Sequence, residues 1–328
     1  MGIKMKIVLI AYPGVSAWSL SGILEIFEIA NKYYEYRYNK KFFDIVLTSE
    51  KTGVICTQNG IDINVSHSFA DFKKPDLIYI PGTTHEIKNI LDENKSVIHY
   101  IGKQYSKGAK VASFCTGTFL VAQSGILKNR SASTHWNRAA LFRELFPETL
   151  LRDERIIIDE GDIFLGGGAS SFHNLSLYII EKFMGRDAAI AVSKILLIDI
   201  NKDLQSSYVI FSLQKTHSDM KIYKLQQFIE ENYEKKYTVN SLAEKINTTP
   251  RTFMRRFKKA TGNTPLLYIQ RVKVEAAKKL LESTDLTFEE IVRKVGYEDV
   301  STFRQLFRKL TGLSPMEYRK KFMYNLSV

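Results

Sequence analysis

Short apolar, β-branched runs alternate with helically spaced apolar residues through the first two thirds of the chain. KIVLIAYPG (6–14) reads as a buried strand that stops at a Pro-Gly turn. LSGILEIFEIANKYY (20–34) has apolar residues three and four apart and predicts a helix. FFDIVLTSE (42–50), PDLIYIPG (75–82) and KVASFC (110–115) read as further strands. This alternation predicts a mostly parallel sheet covered on both faces. Ligands of such folds gather at the carboxyl ends of the strands. Pro13-Gly14, Gly82-Thr83-Thr84 and Cys115-Thr116-Gly117 all stand at such ends, so three separated segments define one candidate pocket.

The last third has a different pattern, and it occurs twice. TVNSLAEKINTTPRTFMRRFKKATGNTPLLYI (238–269) is similar to TFEEIVRKVGYEDVSTFRQLFRKLTGLSPMEY (287–318). Leu242 and Ile246 correspond to Ile291 and Val295. After one inserted residue, Phe253, Phe257, Thr261-Gly262, Pro265 and Tyr268 match Phe303, Phe307, Thr311-Gly312, Pro315 and Tyr318. A repeat this detailed predicts one supersecondary unit used twice. Each copy reads as a short helix ending at Asn247 or Gly296, residues that tolerate a left-handed turn. A cap follows, Thr249 before Pro250 or Asp299, and then a second helix. That helix buries its phenylalanines and turns a basic face outward. This is the design of a helix-turn-helix, whose second helix enters a major groove. A helical bundle with a solvated charged face is the alternative for a single unit.

Charge favours DNA. From Asp219 onward there are 22 lysines and arginines against 13 acidic residues, which supplies +9 of the total +12. Apolar residues make up 45% of the 328, enough for packed cores in two domains. Two cysteines, Cys56 and Cys115, exclude a disulfide framework or zinc cluster and fit a reducing cytoplasm. The apolar start is broken by Pro13-Gly14 and reads as a strand, not a leader, and no run is long enough to span a membrane.

The candidate chemistry centres on Cys115, where an apolar run meets a helical pattern. Ser113 two before and Gly117 two after are the small neighbours that a nucleophile elbow needs. A cysteine there would sit at a helix N-terminus, which favours thiolate. A buried core cysteine is the competing reading. His67, His85 and His173 lack metal-ligand spacing, and neither a metal nor a cofactor is expected.

SFCTGTFLVAQSGILKNRSASTHW (113–136) resembles the cysteine elbow of the PfpI-type branch of the class I glutamine-amidotransferase-like superfamily. It is most similar to the sensor domains of GlxA-type regulators and to isocyanide hydratases. PGVSAWSLSGILEIF (13–27), PDLIYIPG and GDIFLGGGASSFHNLSLYIIEKFMG (161–185) fit the same pattern. The resemblance implies a flavodoxin-like α/β sandwich. It also shows departures: Thr116 stands where protease-type members have histidine, Ser19 where the hydratases have aspartate, and Asn174 where an acid is usual. Cys115, His135 and Ser19 are therefore vestigial catalytic candidates. LAEKINTTPRTFMRRFKKATGNTPLLYIQRVKVEAAKKLLE (242–282) and KVGYEDVSTFRQLFRKLTGLSPMEYRKKF (294–322) resemble the AraC/XylS transcription regulators.

The expectation is an α/β sensor at 1–190, a connector at 191–217 and an all-α DNA-binding domain with two helix-turn-helix units at 218–328. Ser19, Glu25, Gly82, Thr83, Cys115, Thr116 and His135 would line an effector pocket. Arg251, Thr252, Arg255, Arg256, Lys258 and Lys259, with Ser301, Thr302, Arg304, Gln305 and Arg308, would face an operator duplex. A small-molecule effector and a second copy of the chain are the other expected partners. A cysteine-dependent hydratase or amidase fused to a DNA reader, and a thiol redox sensor, stay as alternatives.

Overall fold

The computed structural model describes residues 5–200, 204–211, 214–215 and 217–323. The chain divides into two compact units, residues 1–205 and 206–328.

The first unit is built on a six-stranded sheet. Its strands are β1 (Met5–Ile10), β2 (Phe43–Thr48), β5 (Leu77–Ile80), β6 (Lys110–Phe114), β9 (Ile157–Asp159) and β10 (Ile163–Gly166), in the order β2-β1-β5-β6-β10-β9. Only β9 runs antiparallel within this sheet. Leu77 pairs with Ile7 on one side and Lys110 on the other, and Val111 pairs with Ile163. That register brings the carboxyl ends of β1, β5, β6 and β10 level. β5 and β10 are wholly buried, as strands covered on both faces must be. The cover comes from α1 (Ala17–Tyr38), α2 (Ile87–Glu93), α3 (Lys95–Tyr105), α4 (Gly117–Gln123), α5 (Ala139–Leu145), α6 (Ser171–Met184) and α7 (Arg186–Leu196). Buried Asn31 on α1 fixes the start of β2, its amide accepting from Phe42 and Phe43 N–H and donating to Phe43 C=O.

Two small sheets lie beside the main one. Gly53–Cys56 and Asp62–Val65 form a hairpin, β3 and β4, and Ser131–Ala132 pairs with Leu150–Leu151 as β7 and β8. The hairpin folds over the first loop, with Gly14 N–H donating to Cys56 C=O and Gln58 N–H to Val15 C=O.

The second unit is helical. It contains α8 (Met220–Glu231), α9 (Val239–Lys245), α10 (Pro250–Thr261), α11 (Pro265–Ser283), α12 (Phe288–Lys294), α13 (Val300–Thr311) and α14 (Pro315–Phe322). Two apolar cores share α11: Tyr268, Ile269 and Val272 pack with α8–α10, and Val274, Ala277 and Leu281 pack with α12–α14. At 1.5 Å per residue, the 19 residues of α11 span about 28 Å.

The two cores are built alike. Thr238 and Thr287 each close a capping box at the start of the first helix. Asn247 (φ 54°) and Gly296 (φ 73°) make the left-handed turn. Thr249 and Asp299 cap the second helix. Phe253, Phe257, Phe303 and Phe307 are completely buried. Tyr268 donates to Glu230 and Tyr318 to Glu282, both at 2.6 Å.

Candidate functional site

The elbow at Cys115 forms as its neighbours require. Cys115 adopts φ 55°, the left-handed region that few non-glycine residues enter. Gly117 is obligatory: a Cβ there would lie 2.4 Å from Pro81 O and 2.8 Å from Ser113 Oγ. Ser113 in turn donates to Ile80 C=O. Gly82 is equally constrained, since a Cβ there would sit 2.9 Å from Cys115 Cβ. The Cys115 carbonyl accepts from Thr134 Oγ1 at 2.7 Å, and its N–H donates to Gly166 C=O. The expected bias toward thiolate is not what this environment produces. Burial pushes the thiol up to about 11, only partly offset by hydrogen bonds from Thr116 and the charge of Arg138. No carboxylate is among the groups that shift it.

The surrounding loops are already bonded to one another. Thr83 N–H donates to Thr116 Oγ1 at 2.7 Å, and Thr116 Oγ1 donates back to Thr83 C=O at 2.5 Å. Thr83 Oγ1 donates to Gly14 C=O. Tyr12, whose own pKa is raised by burial and by Cys115, donates to Pro81 C=O. The backbone N–H of Thr83 is therefore already engaged by the Thr116 hydroxyl. Ser19 is buried and donates to Ser16 C=O in the first turn of α1. His135 accepts from Asn137 N–H through Nδ1, and burial lowers its pKa, so its ring is neutral at physiological pH.

Glu25 does not join this group. It lies on the exposed side of α1, because the helix turns it away from the buried stripe of Ile23, Ile26 and Phe27. Asn174 is also engaged elsewhere, donating to Asp199 C=O and lining a separate cavity of about 290 Å³ with Arg155 and Tyr178. His85 packs over Gly14, His173 stacks on Phe172 and His67 lies against Phe72. Among the described residues no cluster of His, Cys, Asp or Glu could hold a metal ion. Both cysteines are free, Cys56 exposed and Cys115 buried.

Two residues remote in the chain also hold these loops. Gln58, in the hairpin turn, accepts from Thr84 N–H at 2.8 Å and Thr84 Oγ1 at 3.1 Å. The Asn59-Gly60 pair was the legible signal for that hairpin. Gln205 donates to Thr134 C=O at 2.9 Å and lies against Gly167. No local signal announces it.

In the helical unit, α10 and α13 present matching faces. Arg251, Thr252, Arg255, Lys258 and Lys259 are exposed, as are Ser301, Thr302, Arg304, Gln305 and Arg308. Arg256 differs from expectation. Its guanidinium makes two hydrogen bonds to Asp219, at 2.5 and 2.8 Å, because it lies on the flank of α10 that faces the N-cap of α8. Thr302 donates back to its cap Asp299, and Thr252 accepts from Thr249. Arg304 lies 3.6 Å from Glu289 and over the Phe288 ring.

A parallel α/β domain with a cysteine elbow, followed by paired helix-turn-helix units with basic outer faces, defines a DNA-binding regulator with an appended α/β domain. Residues 5–163 match the DJ-1/PfpI family and residues 242–321 match a helix-turn-helix domain. The HTH-type transcriptional regulator CdhR of Pseudomonas aeruginosa is 24% identical over 310 residues, covering 94% of this chain and 89% of CdhR. GlxA of Rhizobium meliloti, another HTH-type transcriptional regulator, is 24% identical over 216 residues, covering 65% of this chain and 66% of GlxA. The crystal structure of DJ-1beta of Drosophila melanogaster, 17% identical, superposes with a TM-score of 0.51 over 60% of this chain and 100% of that one, which shows the fold alone. The chain is an AraC-family helix-turn-helix transcriptional regulator with a PfpI-like N-terminal domain.

Proposed function

We propose that α10 and α13 read two successive major-groove segments of an operator, and that the Cys115 pocket binds a small effector without turning it over. The observation that carries the reading is one exposed helix face built twice on the same buried frame. Arg251 and Arg255, with Ser301 and Gln305, are assigned to base edges, and Lys258 and Lys259 to phosphates. A neutral buried thiol and a neutral His135 support binding over catalysis. The protein is assigned to the cytoplasm, consistent with two free cysteines, and to a homodimer, with exposed Leu197 and Ile195 at the end of α7 as apolar surface for a second copy. No described helix is long and apolar enough to cross a membrane.

The test is binding of the full chain to duplexes selected from a random library, at two salt concentrations. Affinity should fall steeply as salt rises, because bound lysines and arginines release condensed counterions. Folded protein that enriches no duplex ends the reading. Alkylation of Cys115 should be slow at neutral pH and accelerate as pH rises toward about 11. Fast labelling at neutral pH, or turnover of an amide or isocyanide abolished by Cys115→Ser, would restore the enzymatic alternative.

A further inference from the structure

Lys273 occupies the point at which α11 passes from one helical core to the other. Val272 before it packs in the first core and Val274 after it in the second. The lysine itself is buried. Its Nζ donates to Val295 C=O at 2.7 Å and approaches Gly296 C=O at 3.4 Å. It therefore closes the C-terminal end of α12, where the helix leaves carbonyls without partners and favours a cation. Burial lowers its pKa to about 8, with Glu234 opposing and Lys236 adding to the fall, so it still carries its charge at neutral pH.

The first helix-turn-helix meets the second at the same place. A Cβ on Gly296 would lie 1.7 Å from Glu234 O, so the loop before α9 lies directly on the turn before α13. Tyr233 in that loop packs against both cores. Tyr297 in the turn has Lys273 above its ring at 5.3 Å. An exposed Lys236–Glu298 pair, at 2.7 Å, adds little. The buried connection between the two readers thus combines the packing of Tyr233 with the Lys273 side chain, whose ammonium has three donors.

We propose that Lys273 is a positioning residue, which sets the separation of α10 and α13 and so the spacing between operator boxes that this regulator accepts. The proposal rests on the two-segment DNA reading above. Lys273 is buried and belongs to neither proposed DNA-facing surface, so its removal takes no side chain from either. Two readers held rigidly gain affinity from simultaneous engagement, and that gain is lost when box spacing and reader separation disagree.

The experiment uses the full chain and a duplex selected from a random library, together with versions carrying one or two extra base pairs between the boxes and a version keeping one box. The wild type should lose roughly tenfold or more in affinity on insertion. Lys273→Met should bind the single box as the wild type does, lose affinity for the correct spacing and discriminate spacings by less than about threefold. Lys273→Arg should restore the discrimination. If Lys273→Met does not melt cooperatively, Lys273→Gln replaces it, since it keeps a donor but neither the reach nor the charge. A Met or Gln variant that keeps the wild-type spacing ratio overturns the proposal and leaves the DNA reading intact. A wild type that enriches no duplex overturns both.

Discussion

The two helix-turn-helix units are the same object inside and different objects outside. Positions 251–261 and 301–311 alternate between exposed and buried in the same order. Thr261 and Thr311 each donate to the carbonyl of the preceding buried phenylalanine, at 2.9 and 2.8 Å. Gly262 (φ 71°) and Gly312 (φ 77°) end the helices identically. On the surface, Arg251 faces Ser301 in the alignment, Met254 faces Arg304 and Arg255 faces Gln305. Arg256, tied to Asp219, stands where the second unit has Leu306. The frame is constrained by packing density, which punishes any change of volume. The outer face answers only to what it touches. The two copies keep the same order of buried positions while exchanging the exposed side chains.

The comparison breaks most visibly in the cores. Phe257→Ala and Phe307→Ala should each cost about 3–5 kcal/mol, measured by chemical denaturation. Equal losses support equivalent frames; a loss in one unit below half that in the other ends the equivalence. At the turns the two units should part. Gly296→Ala places a methyl against Glu234 O in a left-handed conformation and should cost about 1–3 kcal/mol, whereas Asn247→Gly should change stability by a few tenths.

On the outer faces, Arg255→Ala should remove about 1–3 kcal/mol of discrimination at one or two adjacent base pairs. Gln305→Ala should do so at a different position in the other box. Lys259→Ala should weaken all sequences together and reduce the salt slope by about one. A base-by-base operator scan with the three variants checks this, and a uniform loss for Arg255→Ala would move it from base to backbone. Among the changes on the outer faces, the smallest effect belongs to Arg256→Leu, which gives the first unit the residue the second has at Leu306. Its pair with Asp219 is partly exposed, so the loss should stay below about 1 kcal/mol. The Arg256 guanidinium holds the Asp219 carboxyl below its ordinary value. Stability from the pair is therefore complete above the unfolded carboxylate pKa and disappears as pH falls through the folded one. Urea midpoints of both proteins should converge in acid, and midpoints that stay apart there would assign the effect to packing.

Local chemistry was enough to define much of this protein. Strand runs, the small residues flanking Cys115, the caps at Thr249 and Asp299, and the internal repeat were all legible, because each depends on neighbours within a few residues. Gly117 and Ser113 announced the elbow before their packing against Pro81 and Ile80 was visible. The charge state of Cys115 was not legible, since burial among distant strands outweighs the nearby helix terminus. Nor were the departure of Glu25 from the pocket, the diversion of Arg256 to Asp219, or the hold of Lys273 on the far turn. Periodicity assigns a residue to a face of its own helix. Which partner waits on that face, and how much water it excludes, is decided only when segments remote in the chain are packed together.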